Sequence, residues 1–469
     1  MTLTKNKIKS LVNSSKAGHG KETMHQGLNY YEYKHDILNY RLFYVDGEGE
    51  VKEELNRSNI KIAHSFFTEL VDQKTDYLLS NPVGINTDND VLEKYLKEYL
   101  RMQFQKVLRL AVKHASMKSK SYVYAYYDAN DRLRFQFTDP LTVIPVHDDH
   151  ANLTSLIRHY DRKIQKDNQE ITITKVEYWT DKDVTYYTIK NGVIDLDLSQ
   201  VINPRPHRVI IDPETKEVYG KTMGSLPFFE LRNNDTGKTD LEPVKALIDD
   251  YDLMACSLSN NLVDFDYPIV AVKGYPGTDL DPLIQNLKTR KTVGTSEKGG
   301  IDVKTVDIPV NARKTKLEVD KESIYRFGRG FDSAKFGDGN ITNVVIQSRY
   351  SLLELKCNEA ETYLRELIEW MLTFILKDIE EKHGQTFKLS EIEVEITRKM
   401  MVNALDNAEI EKIKASTEQT RIDTLLSVAP RLDNDTVLAQ ICDELNLDFA
   451  VVKAALESQD YIGLGDTDE

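Results

Sequence analysis

Cysteine is scarce in this sequence: its 469 residues include three, Cys256, Cys357 and Cys442. They lie far apart, they form no CxxC pair, and each falls within a helical pattern of apolar residues. This spacing excludes both the dense disulfide framework of small secreted domains and a thiolate zinc site. We therefore predict three buried free thiols.

Long apolar runs are also missing. No apolar segment approaches the ~20 residues that a helix needs to cross a bilayer. The first ten residues, MTLTKNKIKS, lack the apolar core of a secretory signal. We expect a protein that is made and kept in the cytosol and has no membrane partner.

Signatures of catalysis and cofactor binding are absent as well. The phosphate-binding pattern GxxxxGK(S/T) does not occur, and the glycine-rich residues 328–340 follow a helix rather than a strand. No Ser, Cys or Lys has the sequence context of a nucleophile. Adjacent acidic pairs such as Asp249 and Asp250 do not face each other on a helix. These absences predict a protein that is not an enzyme and holds no cofactor.

One short run, His147 to His150 with two aspartates between, has side chains of the metal-binding type. It follows Pro145 in a predicted turn, and the sequence offers no third partner nearby. We favour a solvated loop here, and a metal ion near these histidines remains the open alternative.

The central part of the chain, residues 239–383, sets the predicted organisation. Thr239 and Glu242 have the spacing of a capping box, and Pro243 falls in the first turn of a helix over 239–264. That helix carries an apolar seam at alternating spacings of three and four, which needs a partner helix. The seam consists of Leu241, Val244, Ile248, Tyr251, Ala255, Leu258 and Leu262.

A small insert and a second helix follow. The insert, residues 265–310, has β-rich segments at 267–272 and 301–306 and a short helical pattern at 279–287. The second helix covers 311–329, and a glycine-rich loop covers 330–341. From residue 342 the chain runs to 383 without Gly or Pro, which predicts a helix ~60 Å long.

Before this region the pattern predicts an α+β body. Residues 1–25 are rich in Lys, Ser and Gly, which predicts a mobile arm. Helical periodicity then occurs at 38–45, 60–79, 91–99 and 104–117. A period of two follows and predicts a largely antiparallel sheet, with strands at 122–128, 133–137, 156–160, 171–179, 184–190 and 193–196.

Charge is distributed unevenly along the chain. The net charge is −15, yet residues 288–329 contain eleven Lys or Arg against six Asp or Glu, a local +5. Residues 401–469 contain five against fifteen, a local −10. A protein that grips DNA concentrates positive charge, whereas a conduit for sliding duplex needs neutral or repulsive walls. Solvated surfaces without a DNA role are the alternative.

Four runs of sequence resemble the portal (head-to-tail connector) proteins of tailed bacteriophages, in the group similar to the portal of Bacillus phage SPP1. The runs are 59–83, 135–146, 226–252 and 418–445. The order of elements matches too, and the resemblance extends from about residue 25 to about 458. The family usually places a glycine before the strand at 119–122, where this chain has Ser119.

The resemblance implies an α+β portal fold with an α/β wing, a two-helix stem, a small α/β clip, a long helix after a tunnel loop, and a helical C-terminal crown. It assigns the parts of the chain as follows: mobile arm 1–25, wing 26–238, first stem helix 239–264, clip 265–310, second stem helix 311–329, tunnel loop 330–341, long wing helix and strand 342–395, crown 396–460, and acidic tail 461–469.

The implied function is a ring of twelve copies at one capsid vertex, with an axial channel for packaging and ejecting double-stranded DNA. The implied partners are DNA without sequence specificity, the terminase large subunit, head-completion or connector protein, and the major capsid and scaffold proteins. The protein would be made in the bacterial cytoplasm and reside in the virion. A metal-dependent nucleic-acid-processing enzyme and a cytosolic scaffold that forms no ring are the alternatives.

The resemblance also suggests site residues. In the tunnel loop they are Asp332, Ser333, Lys335, Phe336, Gly337, Asp338, Gly339 and Asn340. Basic residues of the second stem helix would line the channel: Arg313, Lys314, Lys316 and Lys321. In the clip, the contacts to terminase or connector would be Lys288, Arg290 and Lys291. A solvated surface loop is the alternative interpretation of the glycine-rich segment.

Overall fold

The computed structural model describes most of the chain in continuous stretches. They are residues 3–55, 57–166, 169–211, 215, 218–266, 269–273, 298–305, 307–332 and 343–399, and within 412–458 the residues 412–414, 416–417, 419–421, 423–424, 427, 434–444 and 448–458. The chain divides into two compact units, one of residues 1–333 and 350–399, and one of 334–349 and 400–469.

The α-helices of the described residues match the predicted helices at 91–99 and 104–117 and differ from the prediction nearer the N-terminus. They are α1 (Lys5–Lys16), α2 (Glu22–Tyr31), α3 (Phe66–Leu78), α4 (Asp90–Tyr99), α5 (Met102–Lys118), α6 (Lys245–Asp264), α7 (Val310–Phe327), α8 (Asn343–His383), α9 (Asn434–Glu444) and α10 (Phe449–Ser458).

The strands are mostly short and pair antiparallel. They are β1 (Phe43–Val45), β2 (Val51–Glu53), β3 (Gly84–Asn86), β4 (Lys120–Tyr127), β5 (Leu133–Thr138), β6 (Val143–His147), β7 (Leu153–Lys166), β8 (Gln169–Trp179), β9 (Asp183–Lys190), β10 (Val193–Leu196), β11 (Arg205–Pro206), β12 (Arg208–Ile211), β13 (Val218–Lys221), β14 (Phe228–Arg232), β15 (Ile269–Lys273), β16 (Gly300–Lys304) and β17 (Glu393–Glu395).

The predicted antiparallel pairing is confirmed, but the predicted strands divide between two sheets rather than one. Strands β10, β9, β8, β7 and β6 lie side by side in that order, with β11 on the edge of β9. A second sheet has the order β14, β4, β5. Aromatic rings fill the core where the two sheets meet, including Tyr124, Trp179 and Phe228. The α+β class is therefore correct.

The turn from α5 into β4 has the backbone that the missing glycine would favour. Ser119 has φ 64°, in the left-handed region. Its carbonyl oxygen accepts a hydrogen bond from Asn233 N at 2.9 Å, which ties the turn to the end of β14. The turn therefore has the left-handed backbone typical of glycine, although residue 119 is a serine.

The prediction of a mobile arm over residues 1–25 is wrong. Residues 5–16 form α1, whose Ile8 and Val12 are fully buried against Ile157 and Tyr178 of the larger sheet. Ser15 Oγ lies 2.8 Å from His159 Nε2, and Lys16 Nζ lies 2.7 Å from Asp161. The composition of the segment is polar, but a narrow apolar stripe is sufficient to dock one helix on a sheet.

The predicted helix over 38–45 is also wrong. Residues Asp36–Asn39 form one 3-10 turn, and β1 and β2 form a hairpin. The Asp46 carboxylate accepts hydrogen bonds from the backbone amides of Glu48 and Glu50 and so closes the hairpin turn. Local capture of backbone donors by an aspartate is the mechanism by which such residues oppose helix formation.

Helices α6 and α7 lie beside each other and join the body at one end. The first half of the predicted seam is buried: Leu241, Val244 and Ile248 pack with Phe67 and Ile324. The helix itself begins at residue 245, because residues 239–244 form turns in which Glu242 Oε1 accepts a hydrogen bond from Thr239 N. Strands β15 and β16 pair beyond the other end, with Ile269 opposite Lys304. The helical pattern over 279–287 lies outside the described residues.

Helix α8 is 41 residues long, ~60 Å at the usual rise. Its predicted apolar face is buried, with every member at most 1% exposed. The face consists of Leu364, Leu367, Ile368, Met371, Leu372, Ile375 and Ile379. Gly384, at φ 64°, follows the last residue of the helix, as is usual for a helix C-terminus.

The second unit contains α9 and α10, which pair with each other through an ion pair of Lys453 with Asp435 at 2.5 Å. Cys442 of α9 is buried. Cys256 and Cys357 of the first unit are buried as well, and all three cysteines are free thiols, as predicted.

Candidate functional site

The predicted basic residues of the second stem helix lie on α7, and acidic or amide groups of the same chain approach each of them. Lys316 Nζ lies 2.5 Å from Asp250 on α6 and also contacts Asp320. Hydrogen bonds with Asp250 and Asp320 raise the pKa of Lys316. In its hydrogen-bonded orientation, the Asn261 amide oxygen accepts two bonds from the Arg313 guanidinium, at 2.7 and 2.9 Å.

The other two predicted basic residues have acidic neighbours too. Lys321 Nζ lies 2.8 Å from Asp332 Oδ2, and the more exposed Lys314 lies 4.0 Å from Glu318. The positive charge of these four residues is therefore largely offset within one chain.

One side of α6 is covered by an extended segment, residues 58–64, that the sequence did not reveal. Four α6 side chains, spaced one turn apart, each accept one hydrogen bond from this segment. The donors are the backbone amides of every second residue. The bonds are Ser58 N to Asp264 at 3.0 Å, Ile60 N to Asn260 at 2.6 Å, Ile62 N to Cys256 Sγ at 3.2 Å, and His64 N to Asp252 at 3.1 Å. We call residues 58–64 the strap.

The spacing of the donors matches that of the acceptors, because an extended chain advances ~6.7 Å per two residues and a helix advances ~6 Å per four. The strap and α6 run in opposite directions and stay in register for four bonds. This arrangement satisfies backbone donors that would otherwise be unpaired beside a helix. The strap thus ties the segment before α3 to the helix predicted to be the first stem helix.

At the body end of the strap, Asp252 is completely buried and holds two histidines. Its carboxylate oxygens lie 2.7 Å from His35 Nδ1 and 2.7 Å from His64 Nδ1. The ring of His35 stacks on Tyr30, with centroids 4.4 Å apart. Burial alone would raise the pKa of Asp252, but hydrogen bonds from His35 and His64 outweigh it and lower that pKa.

A second buried ionic cluster joins α3, α8 and the residues before α6. Lys74 Nζ lies 3.2 Å and Lys356 Nζ 3.1 Å from the same oxygen of Asp240, and Asn233 donates to the other oxygen at 2.9 Å. Burial would raise the pKa of Asp240, yet the two ammonium groups hold it far below its usual range. Lys356 also donates to the carbonyl oxygen of Gly328 at 3.0 Å. This cluster fixes the end of α7, where the predicted tunnel loop begins.

Of the predicted tunnel-loop residues, Asp332 is described and pairs with Lys321. Ser333, Lys335, Phe336, Gly337, Asp338, Gly339 and Asn340 lie outside the described residues. The predicted clip contacts Lys288, Arg290 and Lys291 lie outside them as well. Their roles stay predictions.

The His147 to His150 run forms the turn between β6 and β7. Asp148 accepts hydrogen bonds from the backbone amides of His150 and Asn152, at 2.9 and 2.8 Å, so its carboxylate closes the turn. His147 Nε2 lies 3.5 Å from Glu230. Across the residues that the structure describes, no three His, Cys, Asp or Glu side chains gather as metal ligands would.

Within the described part of the chain, no helix has the length and apolar content to span a membrane. The longest helix, α8, instead buries its apolar face in the protein core.

Comparison with known proteins shows similarity to phage portal proteins. The chain is similar to the portal protein of Bacillus phage SPP1, with 29% identity over 368 residues that cover 77% of this chain and 71% of the relative. It is also similar to the portal protein of Clostridium phage phiCD119, with 26% identity over 478 aligned positions that cover 97% of this chain and 98% of the relative. Residues 18–448 match the family described as phage portal protein, SPP1 Gp6-like. The chain therefore belongs to the SPP1-like family of phage portal proteins.

Proposed function

We propose that this chain assembles as a ring, of twelve copies in the virion, at one capsid vertex, and that the ring is the channel for packaging and ejecting double-stranded DNA. The observation that carries the proposal is the family match across residues 18–448, which includes both helices α6 and α7 and the loop between α7 and α8. Membership in a phage portal family also favours this proposal over the enzyme and scaffold alternatives.

In this proposal α6 and α7 form the stem, residues 265–310 the clip, and residues 330–341 the tunnel loop. Residues 26–238 with α8 and β17 form the wing, and residues 396–460 form the crown. Ion pairs within each chain, such as Lys316 with Asp250, support a channel that lets DNA slide. Arg313, Lys314, Lys316 and Lys321 would give the channel its sparse positive contacts.

The proposed partners are chosen by region. The clip, through Lys288, Arg290 and Lys291, would contact the terminase large subunit during packaging and the head-completion protein afterwards. The wing would contact the major capsid and scaffold proteins. The protein would be made in the bacterial cytoplasm and end in the virion, and ATP hydrolysis would belong to the terminase.

Electron microscopy of the purified chain tests ring formation. We expect particles with a central hole, because apolar side chains near the end of α6 are exposed among the described residues, Leu262 at 49% and Val263 at 56%. A strictly monomeric species in light scattering at micromolar concentration would contradict the proposal.

Two further variants test the channel and the clip. Lys335→Glu, or deletion of residues 333–339, should leave rings and capsids intact but reduce the DNA held per particle. Reversing the charges of Lys288, Arg290 and Lys291 should leave rings intact and weaken terminase binding in a pull-down. Wild-type DNA content in both loop variants would remove the loop from the mechanism.

A further inference from the structure

The side-chain amide of Gln73 on α3 bonds to both polar backbone groups of Phe331, its N–H and its carbonyl oxygen. We call this pair of bonds the Gln73 clamp. Gln73 Nε2 donates to the Phe331 carbonyl oxygen at 2.8 Å, and Phe331 N donates to Gln73 Oε1 at 3.1 Å. The two residues are 258 positions apart. A side-chain amide that makes both bonds takes the place of a neighbouring strand, so it fixes the position and direction of the chain at residue 331.

Two positions beside this clamp are occupied by glycine, and neither has room for a Cβ atom. A Cβ on Gly330 would lie 2.4 Å from Leu70 Cδ2 and 2.8 Å from Gln73 Oε1. A Cβ on Gly328 would lie 2.6 Å from Leu70 Cδ1 and 2.7 Å from the carbonyl oxygen of Ile324. Leu70 itself is 1% exposed and cannot move aside without disturbing the core. These glycines let the chain lie flat on α3, which differs from the freedom usually attributed to glycine-rich loops.

Phe331 also has a contact partner on α8. The ring of Phe331 contacts the ring of Tyr350 on α8, with centroids 4.5 Å apart, and Tyr350 also contacts Tyr77 of α3 at 5.2 Å. Next to the clamp, Asp332 pairs with Lys321. Phe331 and Tyr350 therefore lie side by side next to α3, and Gln73 holds the backbone of Phe331.

We propose that Gln73 is a positioning residue for the segment after Asp332: by fixing Phe331 it sets where that segment leaves the body, and hence its reach toward DNA in the channel. The inference rests on the proposed function, in which this segment is the tunnel loop. In a ring, small displacements of Phe331 would place the loops of the subunits unevenly around the duplex. A fixed position of Phe331 would keep the loops equivalent.

The chain contains a matched clamp elsewhere. Gln105 of α5 makes the same pair of bonds to Val83, with Val83 N donating to Oε1 at 3.1 Å and Nε2 donating to the Val83 carbonyl oxygen at 3.1 Å. Loss of either clamp removes two hydrogen bonds between a partly buried glutamine and a backbone. The comparison of Gln73→Met with Gln105→Met therefore separates a local role at the loop from a general effect on stability.

The experiment uses the full-length chain, both as purified protein and in assembled particles. We expect both methionine variants to form rings and to lower the melting temperature by similar amounts. Gln73→Met should speed amide hydrogen exchange at residues 329–332 at least tenfold and lower encapsidated DNA per particle at least twofold. Gln105→Met should speed exchange near residue 83 and leave encapsidated DNA at the wild-type level.

A second pair of variants reaches the same backbone without changing Gln73. Gly330→Ala should reproduce the loss of DNA because its methyl group displaces the chain from Leu70, whereas Gly47→Ala, at a glycine with no atom near its Cβ position, should not. Faster exchange at residues 329–332 with wild-type DNA content would overturn the positioning role. If deletion of residues 333–339 also leaves DNA content unchanged, the proposed function of the loop fails instead.

Discussion

The side chain of Asn260 accepts a hydrogen bond from the backbone amide of Ile60 at 2.6 Å, across 200 positions of sequence. It is one of the four bonds by which α6 holds the strap. Cys256 acts both as acceptor and as donor: its sulfur accepts a hydrogen bond from Ile62 N at 3.2 Å, and its thiol donates to the Ile62 carbonyl oxygen at 3.6 Å. The strap is therefore attached mainly through its backbone, and the side chain of His64 adds one further bond, from Nδ1 to Asp252 at 2.7 Å.

Replacing Asn260 with leucine should loosen the strap. The substitution keeps the side-chain size but leaves the Ile60 amide without its acceptor, at an expected cost of about 1–2 kcal/mol in the free energy of unfolding. Amide exchange at residues 58–62 should become faster, measured by mass spectrometry. Ser259→Ala is the control, because Ser259 Oγ bonds to the carbonyl oxygen of Ala255 within its own helix. Unchanged exchange in Asn260→Leu would show that the strap is held by other contacts.

The strap explains why part of the site could not be predicted. Asp252, Asn260 and Asp264 of α6 have the appearance of a solvated helix face, and Cys256, between them, has that of a core residue. The donors that these side chains meet are backbone amides, which every residue except proline carries, so the sequence of the strap contains no matching signal. The Gln73 and Gln105 clamps were missed for the same reason.

Elements with strong periodicity were predictable. The bounds of β10, Val193–Leu196, agree with the alternation of the sequence, and the buried face of α8 follows its apolar spacing. The failures came where composition misled. In α1 a stripe that includes Ile8 and Val12 was outweighed by the surrounding Lys and Ser, and in residues 38–45 an apolar pattern with helical spacing instead forms a turn and an exposed strand.

Substitution of Ser119 by glycine should stabilise the protein. A side chain in the left-handed region costs about 1–2 kcal/mol, and glycine removes most of that cost while adding some entropy to the unfolded chain. We expect a net gain of about 0.5–1 kcal/mol, measured by chemical denaturation. Ser119→Ala is the matched control, because alanine keeps the Cβ and should give no gain. Equal effects of the two substitutions would contradict backbone strain as the cause.

Truncation of Ile8 should detach α1 from the sheet. The side chain is fully buried between α1 and the larger sheet, and Ile→Ala at such a site costs about 2–5 kcal/mol. Limited proteolysis should then cut near residues 17–21, before the rest of the chain unfolds. Lys5→Ala, at an exposed position of the same helix, should leave the digestion pattern as in the wild type. Resistance of Ile8→Ala to early cleavage would argue that other contacts hold the helix.

Asp252 should make the stability of the first unit depend on pH in the acid range. Its folded-state pKa is lowered by the hydrogen bonds from His35 and His64, so the folded state binds a proton less readily than the unfolded chain does, whose aspartates titrate at about 3.9. The stabilisation is therefore complete above that value and is lost as pH falls through the folded pKa.

Asp252→Asn tests this directly. At neutral pH it should lower the free energy of unfolding by about 3 kcal/mol or more, because it leaves the buried His35 and the partly buried His64 without their carboxylate. The difference in the free energy of unfolding between wild type and variant should narrow as pH is lowered from about 5 toward 2, since the wild-type carboxylate is then protonated. Asp195→Asn, at an exposed position, should give a difference near zero throughout. Urea denaturation at a series of pH values measures all three chains, and a difference that stays constant with pH would show that Asp252 stabilises by shape rather than by charge.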